Sequence, residues 1–130
     1  MDALEFLKTT IPDFAGYEDE SSRRITDEQI RAFVGEALAL LAATHAEFFS
    51  GDAQQLYDGL LMHCEFADQE VLHDFETATG NVAALAAADA ALIRLAPRAE
   101  TVDAASLQGF MGELKSAFEA RDRTYRGTAA

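Results

Sequence analysis

The sequence predicts an all-α protein: an up-down-up-down four-helix bundle with a short N-terminal helix and an aromatic-anchored loop. Apolar residues recur at helical spacing over most of the chain, and only two of its 130 residues are proline. Short glycine-containing turns at residues 50–52 and 80–81 separate the longest helical segments, which favours antiparallel neighbours. We therefore expect residues 1–130 to form a single domain, with residues 1–17 as an N-terminal appendage and residues 18–125 as the bundle.

The N-terminal segment is expected to fold onto the bundle. Residues 2–10 have the apolar spacing of a short helix, and Pro12 and Gly16 then indicate turns. Phe14 and Tyr17 lie between and after these turn residues. Large aromatic side chains in such a segment are suited to anchoring it against an apolar surface.

The stretch from Ile30 to Phe49 is expected to form the central helix. One broad apolar face carries Ile30, Phe33, Val34, Ala37, Leu38, Leu41 and Phe48, and a smooth stripe follows Gly35, Ala39, Ala42 and Ala46. A helix that is apolar nearly all round belongs at the centre of a bundle. Its start is predicted either at the acidic residues 18–20 or at the capping box that begins with Thr26. We favour the earlier start because Ile25 continues the apolar face.

Three further helices are expected to pack around the central one. The third has an apolar seam at Leu56, Leu60, Cys64, Ala67, Val71, Phe75 and Ala78. The fourth extends from about Asn81 to Ala96, and the fifth, from about Asp103, carries Leu107, Phe110, Met111, Leu114, Phe118 and Tyr125 on one face. Cys64 lies within the seam, so we interpret it as a small buried hydrophobic residue and not as a reactive thiol.

The strong negative charge limits the classes of partner. The formal net charge is −13 at pH 7, which repels nucleic-acid phosphates and anionic membrane surfaces, so neither is an expected partner. The N-terminal residues do not have the pattern of a secretory signal, and no apolar stretch is long enough to cross a membrane. The cytoplasm is therefore the expected location. Arg121, Arg123 and Arg126 are interpreted as favourable cations at the end of the last helix.

Metal and cofactor sites are not predicted. Glu70 and His73 form a Glu-x-x-His motif, but carboxylate-bridged di-iron bundles need that motif twice and two further glutamates. His63 and His73 lie about 15 Å apart along one helix, too far to bind the same ion. His45 falls in an apolar arc of another helix and is interpreted as a structural histidine.

Asp89 is the polar residue that the sequence singles out. It lies in the middle of the apolar stripe of the fourth helix, where a carboxylate must find a partner or become neutral. Counting residues across the predicted turns places Arg31, Glu70, His73 and Asp89 at one height of the bundle. Two interpretations follow: a structural salt bridge of Asp89 with Arg31 or Arg94, or a cluster of these four residues that binds a ligand or handles protons.

Met62 and Phe66 are the candidate interface residues. They lie one turn apart on the side of the third helix away from its seam. An acidic protein has little reason to leave both in water. Either the segment Phe14–Tyr17 covers them or a second subunit does.

No nucleophile motif, catalytic triad or glycine-rich phosphate loop is present in the sequence. We therefore expect a non-catalytic interaction or scaffold protein that self-associates, with a second copy or another protein as its partner. The alternative is a small-ligand or metal-binding bundle, possibly an enzyme, that uses the polar cluster around Glu70, His73 and Asp89.

Overall fold

The computed structural model of the protein describes residues 2–65 and 82–125. Within these two ranges the chain forms α-helices and two short 3-10 helices, and it contains no strand, which confirms the all-α prediction. The α-helices are α1 (Ala3–Thr10), α2 (Glu20–His45), α3 (Asp52–Glu65), α4 (Val82–Leu95) and α5 (Leu107–Tyr125), and the 3-10 helices are Ala46–Phe48 and Ala96–Glu100. None of the helices in this part of the chain is long and apolar enough to cross a membrane.

Side-chain caps and turn residues set the helix boundaries. Asp19 caps α2 by accepting a hydrogen bond of 2.7 Å from the backbone N–H of Ser22. The earlier predicted start is therefore confirmed, although the reason given for it was wrong, because Ile25 is 46% exposed. Gly51 has a φ of 54°, a left-handed conformation that favours glycine in the turn before α3.

The prediction that α2 is buried nearly all round is wrong. Its buried positions form one stripe of Arg23, Thr26, Asp27, Ile30, Val34, Leu38 and Leu41, whereas Ala32, Glu36, Ala39 and Ala43 are exposed. The predicted small-residue stripe is half-buried or exposed at each of its four positions. Alanine favours helix strongly but has little apolar surface to bury, so an alanine-rich face can stand in water.

The end of the central helix also differs from the prediction. The α-helix ends at His45, and a 3-10 turn replaces it over Ala46–Phe48. Phe48 is 44% exposed and therefore does not belong to the buried face. Nε2 of His45 lies 3.0 Å from the carbonyl oxygen of Val102, which is the structural role expected for this histidine.

The core lies between α2, α3, α4 and α5, and the N-terminal segment contributes to it. α5 packs on α3 and α4, α2 packs on α3 and on Ala96–Glu100, and α1 packs on α4. Leu7 is completely buried, and Ile11 and Tyr17 are each only 4% exposed. The segment expected as an appendage therefore supplies core residues. The second half of the predicted third helix and the turn at residues 80–81 lie outside the described residues.

A buried ionic network as the candidate functional site

Asp89 is the centre of the polar cluster. It has no exposed surface, and Leu85, Leu92 and Ile93 of the same helix are buried around it. Its Oδ1 accepts a hydrogen bond of 2.5 Å from Nε of Arg121. Its Oδ2 accepts hydrogen bonds of 2.5 Å from the hydroxyl groups of Tyr17 and Tyr125. Both carboxylate oxygens are therefore occupied by donors from the protein itself.

Arg121 extends this cluster to α2. Its Nη2 lies 2.7 Å from Oδ1 of Asp27, and the other oxygen of Asp27 is 2.8 Å from Nε of Arg31. Nη1 of Arg31 donates a hydrogen bond of 3.2 Å to the backbone carbonyl of Cys64 on α3. The two aspartates balance the charges of these two arginines. We call the six side chains that form this cluster the core network: Tyr17, Asp27, Arg31, Asp89, Arg121 and Tyr125.

The segment between α1 and α2 holds Tyr17 in place. Gly16 has a φ of 81°, a conformation that favours glycine and turns the chain toward the core. The hydroxyl of Thr26 donates a hydrogen bond of 2.7 Å to the carbonyl of Gly16, and Nη1 of Arg23 donates one of 3.1 Å to the carbonyl of Tyr17. α2 therefore fixes the peptide groups immediately before and after the Cα atom of Tyr17.

Helical spacing explains why charged residues of α5 and α2 point inward. Arg121 follows the buried Phe118 by three residues and precedes the buried Tyr125 by four, so the three share one face. On α2, Asp27 precedes the buried Ile30 by three residues, so these two side chains also share one face. In each helix a charged side chain continues an apolar stripe into the interior.

Burial and the neighbouring charges decide the ionisation of the core network. Burial raises the pKa of Tyr17 far above its usual range, and the negative charge of Asp89 adds to the effect. Burial likewise raises the pKa of Tyr125 despite the opposing charge of Arg121. Burial alone would lower the pKa of Arg121, but its interactions with Tyr125, Asp89 and Asp27 outweigh this and raise the pKa. Both tyrosines are therefore neutral donors, and Arg121 stays charged.

The prediction that Asp89 is buried and held by an arginine is confirmed, but the expected partner is wrong. Arg31 reaches Asp89 only through Asp27 and Arg121. The guanidinium group of Arg94 lies 4.5 Å from the centre of the Phe6 ring, on another side of α4. The interpretation of Arg121 as a cap at the helix end is also wrong, since Arg121 is only 3% exposed.

The remaining ligand-binding and interface candidates do not join the core network in the part of the chain that the structure describes. Glu70, His73 and Phe66 lie outside the described residues. Met62 is 59% exposed, so the segment Phe14–Tyr17 does not cover it. That segment packs toward the core instead. The hydroxyl of Tyr17 contacts Asp89, and the ring of Phe14 packs edge-on against that of Tyr17, with 5.8 Å between the ring centroids.

The chemistry open to the core network is limited by its own hydrogen bonds. A ligand or metal ion at Asp89 would have to displace Arg121 or a tyrosine hydroxyl. Residues 2–65 and 82–125 contain no group of three His, Cys, Asp or Glu side chains arranged to hold a metal ion. Cys64 is half-buried, and burial raises the pKa of its thiol to about 11, which agrees with a packing role. The chain matches no protein-family model, no curated protein and no solved structure.

Proposed function

We propose that the protein is a non-catalytic interaction protein, a helical scaffold that associates with itself. The observation that carries the proposal is the saturation of the core network: three protein donors occupy the two oxygens of Asp89, and two arginines occupy those of Asp27. A catalytic carboxylate must reach a substrate or a water molecule. Groups that are buried and mutually paired instead stabilise one arrangement of the helices.

An exposed methionine supports self-association. Met62 on α3 is 59% exposed, more than Ile25 or Phe48. Covering such a side chain with a second copy would remove apolar surface from water. The exposed Asp58 and Glu65 flank it, so two copies repel each other until salt screens their charges. We therefore expect association through Met62 to strengthen with ionic strength.

Light scattering of the full chain at low salt and at about 0.5 M salt tests this proposal. The wild-type mass should rise with salt and concentration, and Met62→Glu should remain monomeric. Ile25→Glu is the matched control, because it places the same charge on an exposed apolar residue of a different helix, α2. A wild-type protein that stays monomeric under all conditions, or equal effects of the two variants, would contradict the proposal.

We further propose that chain direction alternates through α2, α3, α4 and α5, as in an up-down-up-down bundle. Antiparallel α2 and α3 are supported by the contact of Arg31, in the N-terminal half of α2, with the carbonyl of Cys64, at the C-terminal end of α3. Antiparallel α4 and α5 are supported by Asp89 with Arg121 and by Arg98, just after α4, with Glu113. These pairs are the contacts expected for a bundle with alternating directions.

A further inference from the structure

The surface between α3 and α5 contains a groove that is separate from the buried core network. Its volume of about 480 Å³ exceeds that of the grooves at Phe33 and at Lys8, about 260 and 190 Å³. Small-molecule sites commonly occupy about 300–1,000 Å³. Its lining residues are Asp52, Gln55, Leu56, Gly59, Leu60 and His63 of α3, with Gln108 and Lys115 of α5.

One end of the groove presents a fixed aromatic surface. The ring of His63 lies on the ring of Phe118, with a centroid distance of 4.9 Å and an angle of 9° between the planes. Phe118 is only 1% exposed, so it forms a rigid base beneath the imidazole. His63 is half-buried and is one of the residues that line the groove, so a flat ring bound there can lie against the imidazole.

A glycine keeps the middle of the groove open. Gly59 lies inside α3, where glycine is less favourable than alanine for helix formation. A Cβ atom at this position would meet nothing within 4 Å, so helix packing does not require the glycine. The missing side chain at Gly59 widens the space that a ligand would occupy.

The polar groups of the groove include several hydrogen-bond donors and one cation. Lys115 is one of only two lysines in a chain with a net charge of −13. Its side chain is 56% exposed, and its ammonium group forms a 3.7 Å ion pair with Glu119, one turn along α5. A pair this exposed is weak, so a ligand carboxylate can share the ammonium group or replace Glu119. The amides of Gln55 and Gln108 add donors, and Asp52 is the acidic residue among the lining side chains. Lys115 precedes Phe118 by three residues, one turn from the aromatic stack.

We propose that this groove binds a small aromatic carboxylate. Its ring extends the stack of His63 on Phe118, and its carboxylate pairs with Lys115. The apolar side chains of Leu56 and Leu60 line the groove beside the ring. This site does not depend on self-association through Met62, which faces outward from α3.

The probe for the test is 2-naphthoate, added to the full chain and followed by the NMR signals of the His63 imidazole and by calorimetry. We expect a dissociation constant of about 1 mM or tighter and a selective shift of the His63 ring signals. Gly59→Leu should abolish binding by filling the groove while the melting temperature stays the same or rises. Gly109→Leu is the matched control, because a Cβ at Gly109 also meets nothing within 4 Å but lies outside the groove.

The charge contribution is tested separately. Lys115→Gln should weaken 2-naphthoate binding about fivefold, as expected for one partly exposed ion pair, whereas Lys8→Gln should have no effect. The neutral probe 2-naphthamide should bind wild type and Lys115→Gln equally. The proposal is overturned if the His63 signals do not move at about 5 mM 2-naphthoate, or if Gly59→Leu binds it as well as wild type. Equal binding of naphthoate by wild type and Lys115→Gln would overturn the assignment of a carboxylate.

Discussion

Arg121 and Asp89 form an ion pair inside the core, with Nε of the arginine 2.5 Å from Oδ1 of the aspartate and side-chain exposures of 4% and 0%. Removing two charges from water costs several kcal/mol for each, and only good geometry with further hydrogen bonds offsets that cost. Tyr17, Tyr125 and Asp27 supply those bonds. A shift of α4 along α5 would separate the charges, so we infer that the pair fixes the register of these helices.

Neutralising the aspartate tests the energetic weight of the pair. We expect Asp89→Asn to lower the free energy of unfolding by about 3–5 kcal/mol, because it leaves the buried Arg121 partly uncompensated. The measurement is urea unfolding followed by circular dichroism. Glu113→Gln is the control, since Glu113 pairs with Arg98 at a similar distance of 3.0 Å but both side chains are about half exposed. Its effect should stay below about 1 kcal/mol. Equal losses in the two variants would contradict the importance of burial.

The buried tyrosines predict a loss of stability in alkali. Burial and Asp89 hold the pKa of Tyr17 above its usual range, so the unfolded chain releases this proton near pH 10 while the folded chain keeps it. The stabilisation is therefore complete below about pH 10 and decreases as the pH rises above that value, by about 1.4 kcal/mol for each pH unit. Tyr125 behaves in the same way.

Unfolding in urea at about pH 9 and about pH 11 measures this effect. Tyr17→Phe should be less stable than wild type at the lower pH but should lose less stability between the two. Tyr57→Phe is the control, because Tyr57 is only half-buried. This variant should lose nearly as much stability between the two pH values as the wild-type protein does. A pH dependence that is the same in Tyr17→Phe and wild type would show that the Tyr17 hydroxyl is not held as described.

The N-terminal cap of α2 predicts a loss of stability in acid. The hydrogen bond from the backbone N–H of Ser22 lowers the pKa of Asp19. A lowered pKa means that the stabilisation is present above the usual aspartate range and is lost as the pH falls through the folded-state pKa. Thermal melts should show that Asp19→Ala is less stable than wild type at neutral pH and that the difference shrinks in acid. Asp19→Asn keeps an acceptor oxygen and should be closer to wild type at neutral pH.

The sequence predicted the helical fold and the burial of Asp89 because both follow from periodicity within one segment. A sign of the partner of Asp89 is also present in the sequence. Arg121 continues the apolar stripe of Phe118 and Tyr125, just as Asp27 continues that of Ile30. Charged residues that extend an apolar stripe on three different helices are candidates for one buried cluster.

Other features could not be derived from periodicity. Which arginine meets Asp89 depends on the path of the chain between α4 and α5, including the 3-10 helix Ala96–Glu100, and helical spacing does not specify that path. The exposed face of α2 was misjudged because alanine counts as apolar in a pattern although it gains little from burial. The groove at His63 depends on which face of α3 meets α5, which local spacing also leaves open.

A double-mutant cycle between Asp89 and Arg121 is the most direct test of the claim that these two residues act as one structural unit. The four proteins are wild type, Asp89→Asn, Arg121→Gln and the double variant, each unfolded in urea at neutral pH. We expect each single variant to be strongly destabilised and the double variant to lose much less than the sum, with a coupling energy of about 2–3 kcal/mol. Additive losses, with a coupling energy near zero, would contradict the account.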